Sequence, residues 1–360
     1  MRSCNYTHAA AERPAVVFRG VSMVPHISPG IAAAEKVDEL RTVHPQMRVA
    51  AVQASPVFLD REATIDKACT ILAEASRHGA ALAVFPETWV PGYPVWANTE
   101  SRWNYGPSKR LFGELYRNAV DVPGPAVERL CQAARASSIA VVMGINERVP
   151  TGTLYNSMLF IDRDGTLLGV HRKLIPTYHE RMVWGRGDGS TLSVFDSSVG
   201  RLGGLVCWEH WMPLARYAMY AAGEQIHAAV WPSATETFLL ACRTMAFEGR
   251  VFVVAAASYL TKEMMPTGLP LLDEMDELSE QLCIGGSAII GPDARFIAGP
   301  VYGMETVVYG DIDLDVLAEE KQLLDIAGHY ARPDVFQLHI NRRRQTTGVQ
   351  DIQDGGYFPM

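Results

Sequence analysis

The sequence predicts a single α/β domain of two packed sheets with helices on their outer faces, and three observations carry that reading. Short apolar runs such as Ala81 to Phe85 and Val251 to Ala256 alternate along the chain with stretches whose apolar residues recur at helical spacing. Those runs are apolar at every position rather than at every second one, which calls for cover on both faces of a sheet. No composition break, repeat or low-complexity tract divides residues 48 to 340, so the 48% apolar content of the 360-residue chain serves one core.

Residues 1 to 46 scatter Pro14, Pro25, Pro29 and Pro45 among short apolar pieces and lack the continuous apolar centre of a signal peptide. They read as an extension, non-native or disordered, ahead of a natural start at Met47, with a targeting segment as the alternative. Val49 to Ala54 is the first strand. Asp60 caps a helix that puts Ile65, Ala68, Cys69, Leu72 and Ala75 on one face, and Gly79 closes it. The strand Ala80 to Phe85 runs straight into Pro86-Glu87-Thr88-Trp89. A polar, aromatic-bearing segment from Ala97 to Asp121 precedes a helix through Val127, Leu130, Cys131 and Ala134 and the strand Ile139 to Gly144. Leu154 to Asp162 and Thr166 to His171 flank the turn Asp162-Arg163-Asp164-Gly165, forming a hairpin that delivers His171-Arg172-Lys173.

Leu202 to Val206 is a short buried strand, and Pro213 opens a helix to Gly223 because proline suits a first helical turn. The strand Ile226 to Trp231, a helix from Glu236 to Glu248 and the strand Val251 to Ala256 follow. Thr261 to Leu282 is a loop rich in Met, Leu and acids. Strands Ile284 to Ile290 and Thr306 to Asp311, a helix from Leu314 and a polar tail after Asn341 complete the chain.

Composition narrows the function. The net charge is −8 and the longest basic run is Arg342-Arg343-Arg344, so the footprint of a nucleic-acid binder is missing and a small or neutral substrate is expected. The longest purely apolar run, Val251 to Ala257, falls far short of the roughly 18 residues of a membrane span. A soluble protein is expected. Six cysteines stand singly with no C-x-x-C pair, which argues against a disulfide framework or structural zinc and fits a reducing cytoplasm. The histidines include no H-E-x-x-H, and neither metal nor cofactor is expected.

Cys207 lies where the strand Leu202 to Val206 hands over to a helix, and amides at a helix start are expected to favour its thiolate. Alone, it reads more readily as an inert packing residue. Glu87 and Lys173 also follow strand ends, the edge at which α/β folds gather ligand-binding groups. A thiol nucleophile, a carboxylate to take and return its proton, and a cation to stabilise developing negative charge fit one task.

The surrounding residues, F-P-E-T-W-V-P-G-Y-P-V-W at Glu87, H-R-K-L-I-P-T at Lys173 and C-W-E-H at Cys207, resemble the carbon-nitrogen hydrolase (nitrilase) superfamily, whose members carry a Glu, Lys, Cys triad in this order. E-R-M-V-W-G-R-G-D-G is similar to the segment that holds a fourth catalytic carboxylate in nitrilases, here Glu180. Trp208 and Glu209 resemble the nitrilase branch, whereas amidase branches tend to show tyrosine and aspartate there. The resemblance implies a four-layer α-β-β-α sandwich of the nitrilase type over residues 47 to 340, a polar tail over 341 to 360, and no cofactor. It implies hydrolysis of an organic nitrile to the acid and ammonia through a thioimidate and a thioester, with the nitrile and water as small-molecule partners and a homodimer that builds into larger homo-oligomers. An amidase or carbamoylase, a cyanide-degrading enzyme and a non-catalytic scaffold are the alternatives. Trp89, Tyr93, Trp208, His210 and Trp211 are the expected substrate-binding residues, while Trp96 and Trp231 read as core. Rings at the site mouth suit aryl, arylaliphatic or medium aliphatic nitriles better than cyanide.

Overall fold

The computed structural model describes residues 46–98, 106–270 and 281–345. Strand β1 (Met47–Gln53) leads through α1 (Arg61–Arg77) to β2 (Ala80–Val84). Then come α2 (Gly106–Asn118), β3 (Val120–Asp121), α3 (Pro125–Ser137), β4 (Ala140–Arg148), β5 (Leu154–Ile161) and β6 (Leu167–Arg172). The next stretch holds β7 (Phe195–Ser197), β8 (Gly200–Val206), α4 (Pro213–Ala221), β9 (Ile226–Trp231), α5 (Glu236–Gly249) and β10 (Phe252–Ala257). The chain continues with β11 (Tyr259–Thr261), β12 (Gln281–Ile290), β13 (Phe296–Tyr302), β14 (Thr306–Ile312) and α6 (Val316–Leu323).

Local chemistry accounts for the boundaries. The Asp60 carboxylate accepts the Ala63 N–H at 3.0 Å, as an N-cap should, and Gly79 takes the left-handed φ of 77° that ends the turn after α1. One sheet runs β14-β1-β2-β4-β5-β6, with β3 beside β4; the other runs β11-β12-β10-β9-β8-β7, with β13 beside β12. The two-residue period of β1 divides its side chains between two cores. Val49 and Ala51 pack with Leu82, Val84, Val142 and Phe160 against Leu205, Val230, Val254 and Ile289 of the other sheet. Ala50 and Val52 face the opposite way, onto Ile65, Ala68 and Leu72 of α1 and Leu130 and Ala134 of α3. Met219 of α4 and Met245 of α5 cover the outer side of the second sheet. The layers therefore run helix, sheet, sheet, helix, as the resemblance implied. Among the described residues no helix is long and apolar enough to cross a membrane.

Three expectations are corrected. The polar segment from Ala97 to Asp121 contains α2, held by Leu111 and Leu115, which are buried one turn apart. β13 lay between two expected strands; Pro300 and the exposed Phe296 and Ile297 hide a strand that borders β12. The loop from Thr261 to Leu282 begins in β11, and residues 271–280 of it lie outside the described residues. The first residues of the tail are tied down: Arg342 donates to the Leu192 carbonyl and the Gln345 N–H to Asp188.

Candidate active site

β2 and β4 are parallel, and two antiparallel steps through β5 make β6 parallel to both, so Glu87 and Lys173 leave the first sheet at the same edge. Cys207 leaves the second sheet at the end of β8, beside the end of β9. The Glu87 N–H donates to the carbonyl of Trp231, the last residue of β9, at 3.4 Å, which joins the sheets at that edge. A carboxylate oxygen of Glu87, one of Glu180 and the Cys207 Sγ lie within 4.8 Å of one another, all buried.

The Lys173 Nζ donates to Glu87 Oε1 at 2.8 Å and to Glu180 Oε2 at 2.7 Å. Glu87 Oε1 also accepts from Asn156 Nδ2 at 2.6 Å, whereas Glu87 Oε2 has no hydrogen-bond partner among the described residues. Oε2 is thus the oxygen left to receive a proton. Glu180 Oε2 accepts the Thr177 N–H at 2.7 Å and its Oε1 accepts the Tyr93 hydroxyl at 2.9 Å. A cluster of two carboxylates and a thiol has donors suited to a metal, but the ammonium already bridges both carboxylates.

Burial raises the Glu87 carboxyl to about 7 against the pull of Lys173, with Glu180 adding to the rise. Burial also opposes the charge on Lys173, yet Cys207, Glu87 and Glu180 hold it protonated. Burial and then Glu87 push the Cys207 thiol well above its ordinary value. The expectation of a thiolate favoured by a helix start is therefore corrected. Cys207 opens a 3-10 turn, Cys207–Trp211, and the helix begins only at Pro213. The resting group is a thiol beside a carboxylate. Moving its proton to Glu87 is uphill, but it leaves the total charge of the dry site unchanged, so no further charge has to be buried.

Strain collects around these groups. Cys207 (φ 53°), Thr88 (φ 43°) and Tyr178 (φ 46°) are all left-handed without being glycine. Buried polar side chains hold the turns. Asn146 Nδ2 reaches the carbonyls of Val90 and Gly92 beyond Glu87, and its Oδ1 accepts Trp184 Nε1 at 2.9 Å. Glu209 accepts the N–H groups of Val206 and Leu174, each at 2.7 Å, and pairs with His171 at 3.0 Å. It thereby ties the residue before Cys207 to the residue after Lys173. Burial alone would raise the Glu209 carboxyl; His171 and these amides hold it below its usual range. A Cβ on Gly144 would lie 2.0 Å from the Pro86 carbonyl oxygen and 2.6 Å from the Thr88 nitrogen, so only glycine lets the Glu87 turn rest on β4.

The structure brings Glu87, Lys173, Glu180 and Cys207 together and adds Tyr93 through Glu180. It places other expected substrate residues elsewhere. Trp89 is fully buried, tilted against Phe85 at 4.9 Å, with its indole N–H on the Ala54 carbonyl at 2.8 Å. His210 is buried behind the Cys207 backbone, its Nδ1 on the Cys207 carbonyl at 2.6 Å. Trp211 is half-buried against the core, and Trp208 is exposed, edge-on to Phe238. Asn156 and Gly144 were not singled out, and Glu209 and His171 were named only within their motifs, with no role at the site. A polar residue inside the apolar run L-Y-N-S-M-L-F-I was the available signal for Asn156.

Comparison with known proteins identifies the family. The carbon-nitrogen hydrolase family model matches residues 48–322. An aliphatic nitrilase of Rhodococcus rhodochrous is 41% identical over 315 residues, covering 83% of this chain and 84% of the relative. A bifunctional nitrilase/nitrile hydratase of Nicotiana tabacum is 40% identical over 303 residues, covering 82% and 86%. In fold, the chain is similar to a branch 10 nitrilase-superfamily member of Saccharomyces cerevisiae, with a TM-score of 0.64 at 21% identity over 81% of this chain and 98% of that one. The chain belongs to the carbon-nitrogen hydrolase family.

Proposed function

We propose that the protein is a nitrilase that converts an organic nitrile to its carboxylic acid and ammonia. Cys207 is the nucleophile, Glu87 the proton carrier, Lys173 the cation and Glu180 the group that orients Lys173. The observation that carries this reading is the division of labour at Glu87: Oε1 is committed to Lys173 and Asn156, buried Oε2 is unpartnered among the described residues, and the carboxylate lies in one cluster with Cys207 Sγ. Similarity to relatives named nitrilases over more than four-fifths of the chain supports the nitrile as substrate.

Glu87 takes the thiol proton as sulfur bonds to the nitrile carbon; one C–N π pair moves to nitrogen, which collects that proton and yields a thioimidate. Lys173 and the Trp208 backbone N–H stabilise the negative charge as it forms. Glu87, ionised again, deprotonates a water that adds to the same carbon, then protonates the nitrogen, and ammonia leaves a thioester behind. A second water cleaves the C–S bond, releasing the acid and restoring the thiol. One nitrile and two waters become one acid and one ammonia.

Tyr93, the expected ring that reaches the site through Glu180, supports an aryl, arylaliphatic or medium aliphatic nitrile. Residues 47–340 form the hydrolase unit in this reading. Exposed Leu214 on α4 and Leu240 and Phe247 on α5 support a homodimer that builds into larger homo-oligomers, and the five cysteines among the described residues, all free, support a cytoplasmic setting. Ammonia release from a nitrile and from the amide of the same acid tests the assignment. Nitrile turnover that is abolished in Cys207→Ala is expected, with unchanged circular dichroism. Faster turnover of the amide would make the protein an amidase, and an active Cys207→Ala would remove the nucleophile.

A further inference from the structure

A second set of buried titratable side chains ends on the nucleophile. Glu224 Oε1 lies 2.8 Å from His227 Nδ1, His227 Nε2 lies 3.0 Å from His210 Nε2, and His210 Nδ1 lies 2.6 Å from the Cys207 carbonyl oxygen. All three side chains are buried. The His210 ring is stacked on Trp231 at 4.8 Å, and Trp231 on Phe238 at 5.0 Å, which fixes the plane in which both its nitrogens point.

The order of protons follows from donor chemistry. A carbonyl oxygen only accepts, so His210 Nδ1 carries hydrogen and, in the neutral ring, Nε2 carries the lone pair. His227 Nε2 therefore donates. That leaves His227 Nδ1 needing a donor, which a protonated Glu224 supplies. Glu224 Oε2 has no partner among the described residues: a carboxylate would leave a charged oxygen bare in the core, whereas the acid leaves only a carbonyl. Burial acts in the same sense, pushing both imidazoles down to about 3 and the Glu224 carboxyl up.

We propose that Glu224, His227 and His210 form a neutral, one-way hydrogen-bond chain that polarises the Cys207–Trp208 peptide, making the Trp208 N–H a stronger donor to charge developing on the substrate. The inference rests on the mechanism above, in which that N–H faces the developing charge. A peptide whose carbonyl accepts a short bond donates more strongly through its own N–H, with gains of about 10–30% per bond along such chains. These are positioning residues. They act through one peptide group and touch no substrate.

His210→Phe keeps a ring on Trp231 and removes the donor. Nitrile kcat should fall about tenfold, less than the roughly 10²- to 10³-fold loss when a donor to the oxyanion is deleted outright, with KM changed less than about twofold. Alkylation of Cys207 by iodoacetamide, which needs no such donor, should keep its rate to within about twofold. Glu224→Leu should show the same split, and Glu224→Gln, whose amide can donate the same bond, should recover most of kcat. In histidine-labelled protein, 15N shifts should report Nδ1–H on His210 and Nε2–H on His227. Parallel loss of alkylation and kcat would reduce the chain to a structural prop and overturn the proposal, as would unchanged kcat, an imidazolium at His227, or Glu224→Gln no better than Glu224→Leu. The 15N measurement needs no turnover, so an active Cys207→Ala would sink the nucleophile reading separately.

Discussion

Gly144→Ala inserts a single methyl group, yet the structure gives it a large effect on rate. The added Cβ would sit 2.0 Å from the Pro86 carbonyl oxygen, 2.6 Å from the Thr88 nitrogen and 2.9 Å from the Glu87 carbonyl carbon. All three are backbone atoms, so no rotamer relieves the overlap. Restoring an ordinary contact of 3.4 Å from 2.0 Å requires the Glu87 turn and β4 to part by more than about 1 Å, and a displacement of about 1 Å in a positioned group already costs about 100-fold in rate. The Val90 N–H on the Gly144 carbonyl at 3.1 Å resists the separation. Overpacking should cost about 1–3 kcal/mol of stability, small enough for the protein to fold. Initial rates of ammonia release, beside a thermal melt, give the comparison. A Gly144→Ala enzyme with at least half of the parent kcat would refute the view that this glycine sets the position of the base.

Four further outcomes are expected. Because Glu87 must be ionised to accept the thiol proton and sits at about 7, kcat/KM should drop tenfold per unit below about pH 7 and level off above it; a flat profile from about pH 5 to 9 would remove Glu87 as the base. Lys173→Arg should lose at least about 100-fold, since a planar fork cannot put its charge midway between Glu87 and Glu180 in a fully buried site, and near-parent kcat would make Lys173 a bystander. A chain starting at Met47, where β1 pairs with Ile312, should be soluble and active; aggregation or inactivity would assign residues 1–46 to the fold or to an assembly contact. Specificity constants for phenylacetonitrile, a short dinitrile and cyanide should place cyanide last, and cyanide in first place would move the protein to a cyanide-degrading activity.

Glu87, Lys173 and Cys207 could be read from the chain because each follows an apolar strand, and strand ends are visible in one dimension. The side a ring takes after such an end is not. Thr88, left-handed between Glu87 and Trp89, turns the indole toward Ala54, and nothing in P-E-T-W announces that turn. The 3-10 turn at Cys207 likewise sends His210 inward, to a histidine 17 residues further on. α2 was hidden because only Leu111 and Leu115 mark its buried face. Gly144 and Asn156, and Glu209 in its bond to Leu174, act on partners 35 to 69 residues away, a range at which spacing carries no signal.

Because Glu87, Lys173 and Glu180 hang from one sheet and Cys207 from the other, the gap between layers is, on the proposed mechanism, a machining tolerance for the reaction. Small residues line that gap: a Cβ on Gly204 would lie 2.6 Å from the Ala228 carbonyl oxygen and 3.1 Å from the Met158 side chain across the interface. Gln53 of β1 spans it as well, accepting the N–H groups of Gly286 and Ser287, each at 2.9 Å. Bulk added anywhere in this seam works like a shim, spreading thiol and carboxylate apart far from either. Variants gathered for heat tolerance by filling the interior are therefore expected to slow turnover when they thicken this layer and to spare it when they fill the space under the outer helices.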